Sequence, residues 1–318
     1  MKDRLGREID YVRISLTDRC NFNCVYCAAG SVLRIPKEMM MSFEEIELVV
    51  KVMSELGIKH VRLTGGEPLL RKDIEMLIEK IRKIDRIETI GLTTNGYYLE
   101  EKAESIFKAG LDSINVSLDS LDEKSFYEIT KGGDLKKVLK GLDKVAIIKP
   151  DKIKINTVIT KYLPQELLCF LNFAKKNNFI LRFIELMPVE GINFKDIYVP
   201  VSIIEEKLKD ISPVELVSGK FGSGPAKYYR VKNIGIEVGI IAAISHRFCA
   251  ECNRVRLSSN GVLFPCLNSA VGVNIKDLLK NGDRETLNSV IKETIYDKPI
   301  SHNFTKESIH FNMCKLGG

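Results

Sequence analysis

The chain has 318 residues, of which 45% are hydrophobic and 28% are charged, and it carries a net charge of +6. This composition allows one or two folded domains with a sizeable core and excludes a disordered chain. No apolar run approaches the roughly 18 residues of a membrane-spanning helix, and the first residues lack the apolar core of a secretory signal. We therefore expect a cytoplasmic protein that does not enter the membrane.

The eight cysteines and the charge narrow the class of function. In the cytoplasm, cysteines at motif spacings are typical of metal or redox ligands rather than of disulfides. A net charge of +6 suits an anionic small molecule and is too mild to indicate binding to nucleic acid.

From Tyr11 to about Met187, short apolar segments alternate with amphipathic ones. The predicted strands are YVRISL, HVRLTG, TIGLTTN, SINVSLD, KIKINTVIT and ILRFIELM, each rich in Val, Ile or Thr. Predicted helices lie between them: they start at the capping box of Ser42, after Asp73, at Leu99 and at Pro164. This alternation predicts a parallel sheet, either doubly wound or curled into a partly closed barrel.

The pattern changes after Gly191. A predicted helix over 201–209 precedes a glycine-containing loop and short strands, and Asn260-Gly261 is a strong hairpin signal. We therefore predict a domain boundary near residue 190, with an α/β domain over 1–190 and a smaller C-terminal domain over 191–318.

Three cysteines, Cys20, Cys24 and Cys27, directly follow the first predicted strand. We call them the first cysteine set. They belong in a loop at the carboxyl end of a parallel strand, where α/β enzymes place their chemistry. A [4Fe–4S] cluster usually takes four cysteines, so three would leave one iron open to a non-protein ligand. Structural zinc completed by a distant residue is the alternative, although CxxxCxxC is not a usual zinc spacing.

The segment CNFNCVYC, with an aromatic residue before its last cysteine, resembles the signature of the radical S-adenosylmethionine (SAM) enzymes. The resemblance implies that SAM chelates the open iron and is cleaved to a 5′-deoxyadenosyl radical, which takes hydrogen from the substrate. LTGGEPLL, one β/α unit downstream, resembles the GGEP motif of the same enzymes, which holds the SAM amino group. Taken alone, Gly-Gly-Glu-Pro would indicate a plain βα turn.

A second group of cysteines, Cys249, Cys252 and Cys266, lies near the C-terminus, and we call it the second cysteine set. His246 offers a fourth ligand, so the spacing by itself favours a structural zinc site. The two remaining cysteines, Cys169 and Cys314, are expected to be apolar filling.

The wider segment CAECNRVRLSSNGVLFPCL resembles the C-terminal motif of the GTP 3′,8-cyclases, a radical SAM family of molybdenum cofactor biosynthesis. YVRISLTDRCNFNCVYC and the final Gly317-Gly318 match the same family. The resemblance implies a partial (β/α)6 radical SAM barrel, two [4Fe–4S] clusters, SAM and GTP. It also implies an electron donor, transfer to the next pathway enzyme and a possible homodimer.

Two departures from the family are visible. The first motif ends in Cys27-Ala28-Ala29, where Cys-Met-Pro is common. His60 stands where a lysine is common, two places before Arg62. Because histidine is mostly neutral at pH 7, one phosphate contact is expected to be weaker or pH-dependent.

Four predicted strands carry a cation between apolar neighbours: Arg13, Arg62, Lys154 and Arg182. Since side chains alternate along a strand, these cations share the face opposite the helices. Buried cations need anions, and the internal candidates are Glu67, Asp119 and Glu185. Four cations exceed three carboxylates, which favours a polyanionic ligand such as a triphosphate.

The resemblance assigns individual residues to ligands. It implies GTP contacts from Arg13, Arg62, Thr93, Lys154, Arg182, Arg254 and Arg256, and SAM contacts from Tyr26, Gly66, Ser117 and Met187. A strand threonine and a loop tyrosine also have ordinary structural roles, so that alternative stays open for Thr93 and Tyr26.

The predicted hairpin raises one conflict. A two-residue turn at Asn260-Gly261 would pair Cys266 with Val255 and turn Arg254 and Arg256 to the opposite face. If the cysteine and both arginines reach one cavity, we expect a bulge or a different register.

The sequence thus predicts a radical SAM cyclase that converts GTP to its 3′,8-cyclo-7,8-dihydro form. Two alternatives stay open. One is a radical SAM enzyme that has an auxiliary cluster and modifies a peptide or a small molecule. The other is a nonenzymatic zinc protein that binds nucleic acid. The Gly317-Gly318 tail is predicted to enter the active site and to position Arg256 or a neighbour.

Overall fold

A computed structural model describes the chain except for residues 28–33, 150–152, 218–223, 270, 281, 303, 305–312 and 317–318. Within these described residues, no helix is long and apolar enough to cross a membrane.

All six predicted strands are present, and they form neighbouring parallel strands in chain order. They are β1 (Tyr11–Ser15), β2 (His60–Thr64), β3 (Thr89–Thr94), β4 (Ser113–Ser117), β5 (Ile153–Ile159) and β6 (Ile180–Glu185). The helices between them are α1 (Phe43–Glu55), α2 (Ile74–Arg82), α3 (Leu99–Lys108), α4 (Glu123–Thr130), α5 (Leu135–Ile148) and α6 (Leu163–Asn177).

The helix starts follow local chemistry. The Ser42 capping box is confirmed by reciprocal hydrogen bonds with Glu45, and α6 has a proline in its first turn. Asp73 precedes α2 as predicted but makes no capping bond. The sequence pattern missed α4 and α5, which begin at the capping carboxylates of Asp122 and Asp134.

The C-terminal part contributes α7 (Phe194–Ile197), α8 (Val201–Ile211), β7 (Val214–Val217), β8 (Lys227–Val231), β9 (Ile236–Ile241), β10 (Arg254–Leu257), β11 (Val262–Phe264), β12 (Val273–Asn274), α9 (Lys276–Lys280), α10 (Arg284–Tyr296) and α11 (Met313–Leu316). Its strands extend both edges of the same sheet, in the order β12-β11-β10-β1-β2-β3-β4-β5-β6-β9-β8-β7. β10 runs parallel to β1, and β9 runs parallel to β6. The second cysteine set is thereby brought beside the first strand.

One face of the strands packs against the helices. Val12 and Ile14 of β1 are fully buried in the main core together with Val50 of α1. Arg13, between them, lies on the opposite face because side chains alternate. This division supplies an apolar layer on one side and a polar cavity on the other.

The predicted hairpin at Asn260-Gly261 is present, but its loop has three residues. The amide of Ser258 donates to the carbonyl of Val262 at 2.9 Å, and Gly261 adopts the left-handed conformation with φ of 81°, as in three-residue hairpin loops. Arg256 consequently pairs with Phe264. The expectation of a different register is confirmed.

Candidate active site

A cavity of about 780 Å³ opens on the polar side of the sheet, and we call it the central cavity. Both cysteine sets line it, as do all eleven predicted ligand contacts: Arg13, Tyr26, Arg62, Gly66, Thr93, Ser117, Lys154, Arg182, Met187, Arg254 and Arg256. The fold therefore brings residues from both ends of the chain to one site.

The loop that carries the first cysteine set is held against the end of β2. The amide of Gly66 donates to Thr17 at 2.7 Å, and the amide of Glu67 donates to Arg19 at 2.8 Å. A Cβ atom at Gly66 would overlap the Arg19 carbonyl. Glycine is thus required here for close backbone approach to the cysteine loop.

Glu67 links this loop to the end of β3. Its buried carboxylate accepts hydrogen bonds from the Thr94 hydroxyl at 2.6 Å and from the Asn95 amide at 2.7 Å. Burial raises the pKa of Glu67 to about 7, although these hydrogen bonds oppose the rise. The Asn95 side chain in turn donates to Asn21 at 2.8 Å, next to Cys20.

Neutral groups satisfy the three carboxylates that could have paired with the strand cations. Asp119 accepts from the Tyr26 hydroxyl and, at 2.8 Å, from the Val158 amide. Glu185 accepts from the Ile244 and Ser245 amides at 2.7 and 2.9 Å. Asp119, Glu185 and Glu67 thus all accept hydrogen bonds from hydroxyl and amide groups.

Three arginines lie side by side across neighbouring strands. Arg256 of β10 pairs with Arg13 of β1, which pairs with Arg62 of β2. Burial lowers the pKa of Arg13 to about 10. Burial by itself raises the pKa of Tyr11, yet Arg62 and Arg13 outweigh it and hold that pKa below its usual range. The cavity wall is therefore strongly electropositive.

Among the described residues, eight cations and two carboxylates line the central cavity. The cations are Arg13, Arg62, Lys149, Lys154, Arg182, Arg254, Arg256 and Lys298, and the carboxylates are Asp112 and Glu185. This excess suits a polyanionic ligand, and arginine suits phosphate through bidentate hydrogen bonds.

Two glycines make room for these arginines. Gly91 pairs with Arg62 across the sheet, and a Cβ atom there would overlap the Arg62 guanidinium. Gly239 pairs with Arg182, and a Cβ atom there would come within 2.9 Å of the arginine stem. The glycines thus set where the guanidinium groups lie.

We expect Gly91→Ala to weaken binding of the triphosphate that the sequence resemblance implies while leaving the fold intact, because the flexible Arg62 side chain moves and the backbone does not. Loss of one charge-assisted hydrogen bond costs about 1.5–3 kcal/mol, which corresponds to roughly tenfold to hundredfold in affinity. Binding of GTP to the anaerobic enzyme measures the effect. In an Arg62→Ala background the same change should add nothing, and a further loss there would contradict the explanation.

The second cysteine set lies between the end of β9 and the segment after β11. Burial raises the pKa of Cys252, but Arg254 and Lys298 outweigh it and bring that pKa to about 7. The Arg254 guanidinium also stacks 5.0 Å from the Phe248 ring. His246 does not join these cysteines: its side chain is 56% exposed and lies 3.9 Å from Glu205.

The donor chemistry fits iron–sulfur clusters. All six cysteines of the two sets are partly exposed, and thiolates are the usual cluster ligands. Among the described residues, no three Cys, His, Asp or Glu side chains are grouped as they would be around a single metal ion.

Other sequence-based expectations have mixed outcomes. His60 does not line the central cavity in the described part of the chain, and its Nδ1 lies 2.8 Å from the Thr89 hydroxyl. Cys169 is exposed on α6 rather than an apolar filling residue, and the Cys314 side chain lies outside the described residues.

Sequence reasoning missed several cavity residues, including Tyr228, Lys298 and His302. They belong to none of the motifs that the sequence shows, so no local pattern indicated them.

The last described residues of the tail reach the site. The carbonyl of Leu316 accepts a hydrogen bond from Arg256 at 3.1 Å, and Leu316 packs with Val189. Gly317 and Gly318 lie outside the described residues, so their predicted entry into the site stays a prediction.

Comparisons with known proteins agree with this geometry. The model of the Radical SAM superfamily matches residues 14–174, and the model named Molybdenum Cofactor Synthesis C matches residues 179–304. A GTP 3′,8-cyclase of Clostridium botulinum (strain Hall) is 45% identical over 311 residues, 96% of each chain. One from Clostridium perfringens (strain SM101) is 44% identical over 327 residues, 100% of each chain.

Among solved structures, Streptococcus suis SuiB bound to S-adenosylmethionine has the same fold, with a TM-score of 0.66 and 18% identity. The alignment covers 90% of this chain and 68% of SuiB.

Proposed function

The chain belongs to the radical SAM superfamily and, within it, to the GTP 3′,8-cyclases, and from this premise we infer how the central cavity is used. The enzyme converts GTP to (8S)-3′,8-cyclo-7,8-dihydroguanosine 5′-triphosphate in molybdenum cofactor biosynthesis. It uses SAM and an iron–sulfur cluster.

We propose that the first cysteine set holds the SAM-binding cluster. When bound, the cluster and SAM supply the radical that takes hydrogen from C3′ of GTP. The bonds from Gly66 and Glu67 to the loop before Cys20 support this assignment, because they preorganise the cysteine loop. Tyr26, Gly66, Ser117 and Met187, which line the same cavity, would hold SAM.

We propose that the arginine row of Arg256, Arg13 and Arg62 binds the triphosphate of GTP. The observation that carries this proposal is that the three arginines are paired neighbours on three adjacent strands. Thr93, Lys154, Arg182 and Arg254 complete the contacts to the nucleotide. An anion would replace the water that these partly or fully buried cations lose, so binding would relieve the cost of their burial.

We propose that the second cysteine set holds a second [4Fe–4S] cluster. Three thiolates leave one iron without a protein ligand, and such an iron can hold the purine. The exposed position of His246 removes the fourth ligand that a zinc site of three cysteines and one histidine requires.

The experiment that tests the function is anaerobic reaction of the enzyme with GTP, SAM and a strong reductant. Formation of the cyclised nucleotide together with 5′-deoxyadenosine supports the proposal, and SAM cleavage without any change in GTP contradicts it. The iron content tests the clusters, since two [4Fe–4S] clusters require about eight irons per chain.

Deleting Gly317 and Gly318 is expected to abolish cyclisation while leaving the fold and the iron content unchanged. The Leu316 carbonyl, which accepts a hydrogen bond from Arg256, directly precedes the deleted residues. Their removal turns this amide carbonyl into a carboxylate beside Arg256 and would misplace the arginine row, and a misplacement of about 1 Å can cost roughly 10²-fold in rate. Product formation by the truncated enzyme measures this. Full activity would refute a role for the tail.

We propose an external electron donor, because reductive SAM cleavage consumes an electron. Transfer of the product to the next pathway enzyme, a homodimer and a cytoplasmic location also stay predictions. So does a domain boundary near residue 190, where the strands begin to extend the sheet edges.

A further inference from the structure

Arg7 of the N-terminal arm is buried, and all five of its guanidinium N–H donors are used. Its Nε donates to the Asp3 carboxylate at 2.6 Å. Its two terminal nitrogens donate, at 2.8–3.3 Å, to the backbone carbonyls of Cys249, Ile300, Lys298 and Pro299. Arg7 thus ties the turn that begins the second cysteine set to the segment over residues 298–300.

Lys298 continues this connection to the other cysteines. Its side chain is among the largest that are fully buried, and the residue is 2% exposed. The ammonium donates to the carbonyl of Arg254 at 2.7 Å and to that of Pro265 at 2.6 Å. Arg254 follows Cys252 by two residues, and Pro265 directly precedes Cys266.

The buried positive charge of Lys298 needs a compensating negative charge. A lysine ammonium has three donors, and among the described residues the third has no oxygen acceptor in addition to these two carbonyls. Lys298 lines the central cavity and lies close enough to Cys252 and Cys266 for their charges to act on it. A buried cation without a carboxylate partner is costly, so thiolate charge is the natural compensation.

We propose that Arg7 and Lys298 form a buried clamp that positions the second cysteine set and stabilises the charge of the iron–sulfur cluster it holds. The inference rests on the proposed second cluster. Arg7 fixes the position of the turn at Cys249 through its hydrogen bonds. Lys298 fixes the backbone beside Cys252 and Cys266, and its positive charge also acts on the cluster. A nearby cation favours the more negative, reduced state of a cluster and so raises its reduction potential.

The test uses full-length enzyme, purified anaerobically and reconstituted with iron and sulfide. Wild-type enzyme is expected to hold about eight irons per chain, and Lys298→Met to fall roughly twofold, toward about four. Any second cluster that remains should have a more negative reduction potential in an EPR-monitored titration. Arg7→Lys keeps a charge but loses most of the carbonyl bonds, so it should lower the iron content without that shift in potential.

Lys276→Met is the matched control. Lys276 also donates to two backbone carbonyls, those of Glu38 and Met40 at 3.2 and 2.9 Å, and it lies outside the central cavity among the described residues. The Lys276→Met enzyme should therefore retain the full iron content and the wild-type reduction potential of the second cluster.

The outcomes separate this inference from the proposed second cluster. About four irons in the wild-type enzyme would end the proposal of a second cluster, and this inference with it. About eight irons and an unchanged potential in Lys298→Met would overturn the clamp alone. If Lys298→Met fails to fold, Lys298→Gln, which can keep one carbonyl bond without the charge, provides the same potential measurement: a negative shift supports the clamp, and an unchanged potential overturns it.

Discussion

Cys20→Ala is expected to abolish the formation of 5′-deoxyadenosine from SAM. The first cysteine set supplies three thiolates from a loop that Gly66 and Glu67 hold against the end of β2. Two remaining thiolates do not hold a SAM-binding cluster reliably, because a second iron, in addition to the one open to SAM, then lacks its protein ligand. Radical formation fails before the substrate is involved, so cyclisation fails as well.

The measurement is anaerobic incubation with SAM and dithionite, with and without GTP, followed by chromatography of the nucleosides. Cys169→Ala is the matched control, because Cys169 is free and exposed on α6, away from the central cavity. The Cys169→Ala enzyme should cleave SAM at the wild-type rate. Retained 5′-deoxyadenosine formation in Cys20→Ala would decisively contradict the assignment of the first cysteine set.

Cys266→Ala is expected to block cyclisation of GTP while sparing much of the first cluster. Cys266 lies beyond β11, and Arg254 and Arg256 share its face because of the three-residue hairpin loop. Removing this thiolate disrupts the site proposed for the purine but leaves the loop of Cys20 untouched. Iron should fall roughly twofold, from about eight to about four per chain.

Product formation from GTP and iron content measured on the same preparation test this expectation. The proposed contacts of Arg13 and Arg62 to the triphosphate do not involve Cys266, so some GTP binding should persist in the variant. Unchanged GTP turnover in Cys266→Ala would limit the second cysteine set to a structural role.

Much of the local structure was predictable from the sequence. The six strands match their predicted positions closely, because period-two alternation and Val/Ile enrichment act over a few residues. The capping box of Ser42 was predictable for the same reason. α4 and α5 were missed, although Asp122 and Asp134 precede them at capping positions.

The candidate site was predictable where residues belong to compact motifs. Both cysteine sets and the strand cations line the central cavity as a group. The pairing of those cations was not predictable, since Glu67, Asp119 and Glu185 were equally available in the sequence. In the structure they accept hydrogen bonds from neutral donors instead. That outcome depends on which groups the fold brings within about 3 Å.

The sequence by itself determined the strands, the cysteine spacings and the alternation that places a cation on each of four strands, because these features depend on near neighbours in the chain. Only the tertiary structure decided that β10 lies beside β1, so that Arg256, Arg13 and Arg62 form one row. It also decided the three-residue loop that turns Cys266 toward Arg254, and the meeting of Arg7 with Lys298 across 291 residues. Strand order and register are set by burial of the whole sheet, and long-range contacts of this kind leave no local pattern in the sequence.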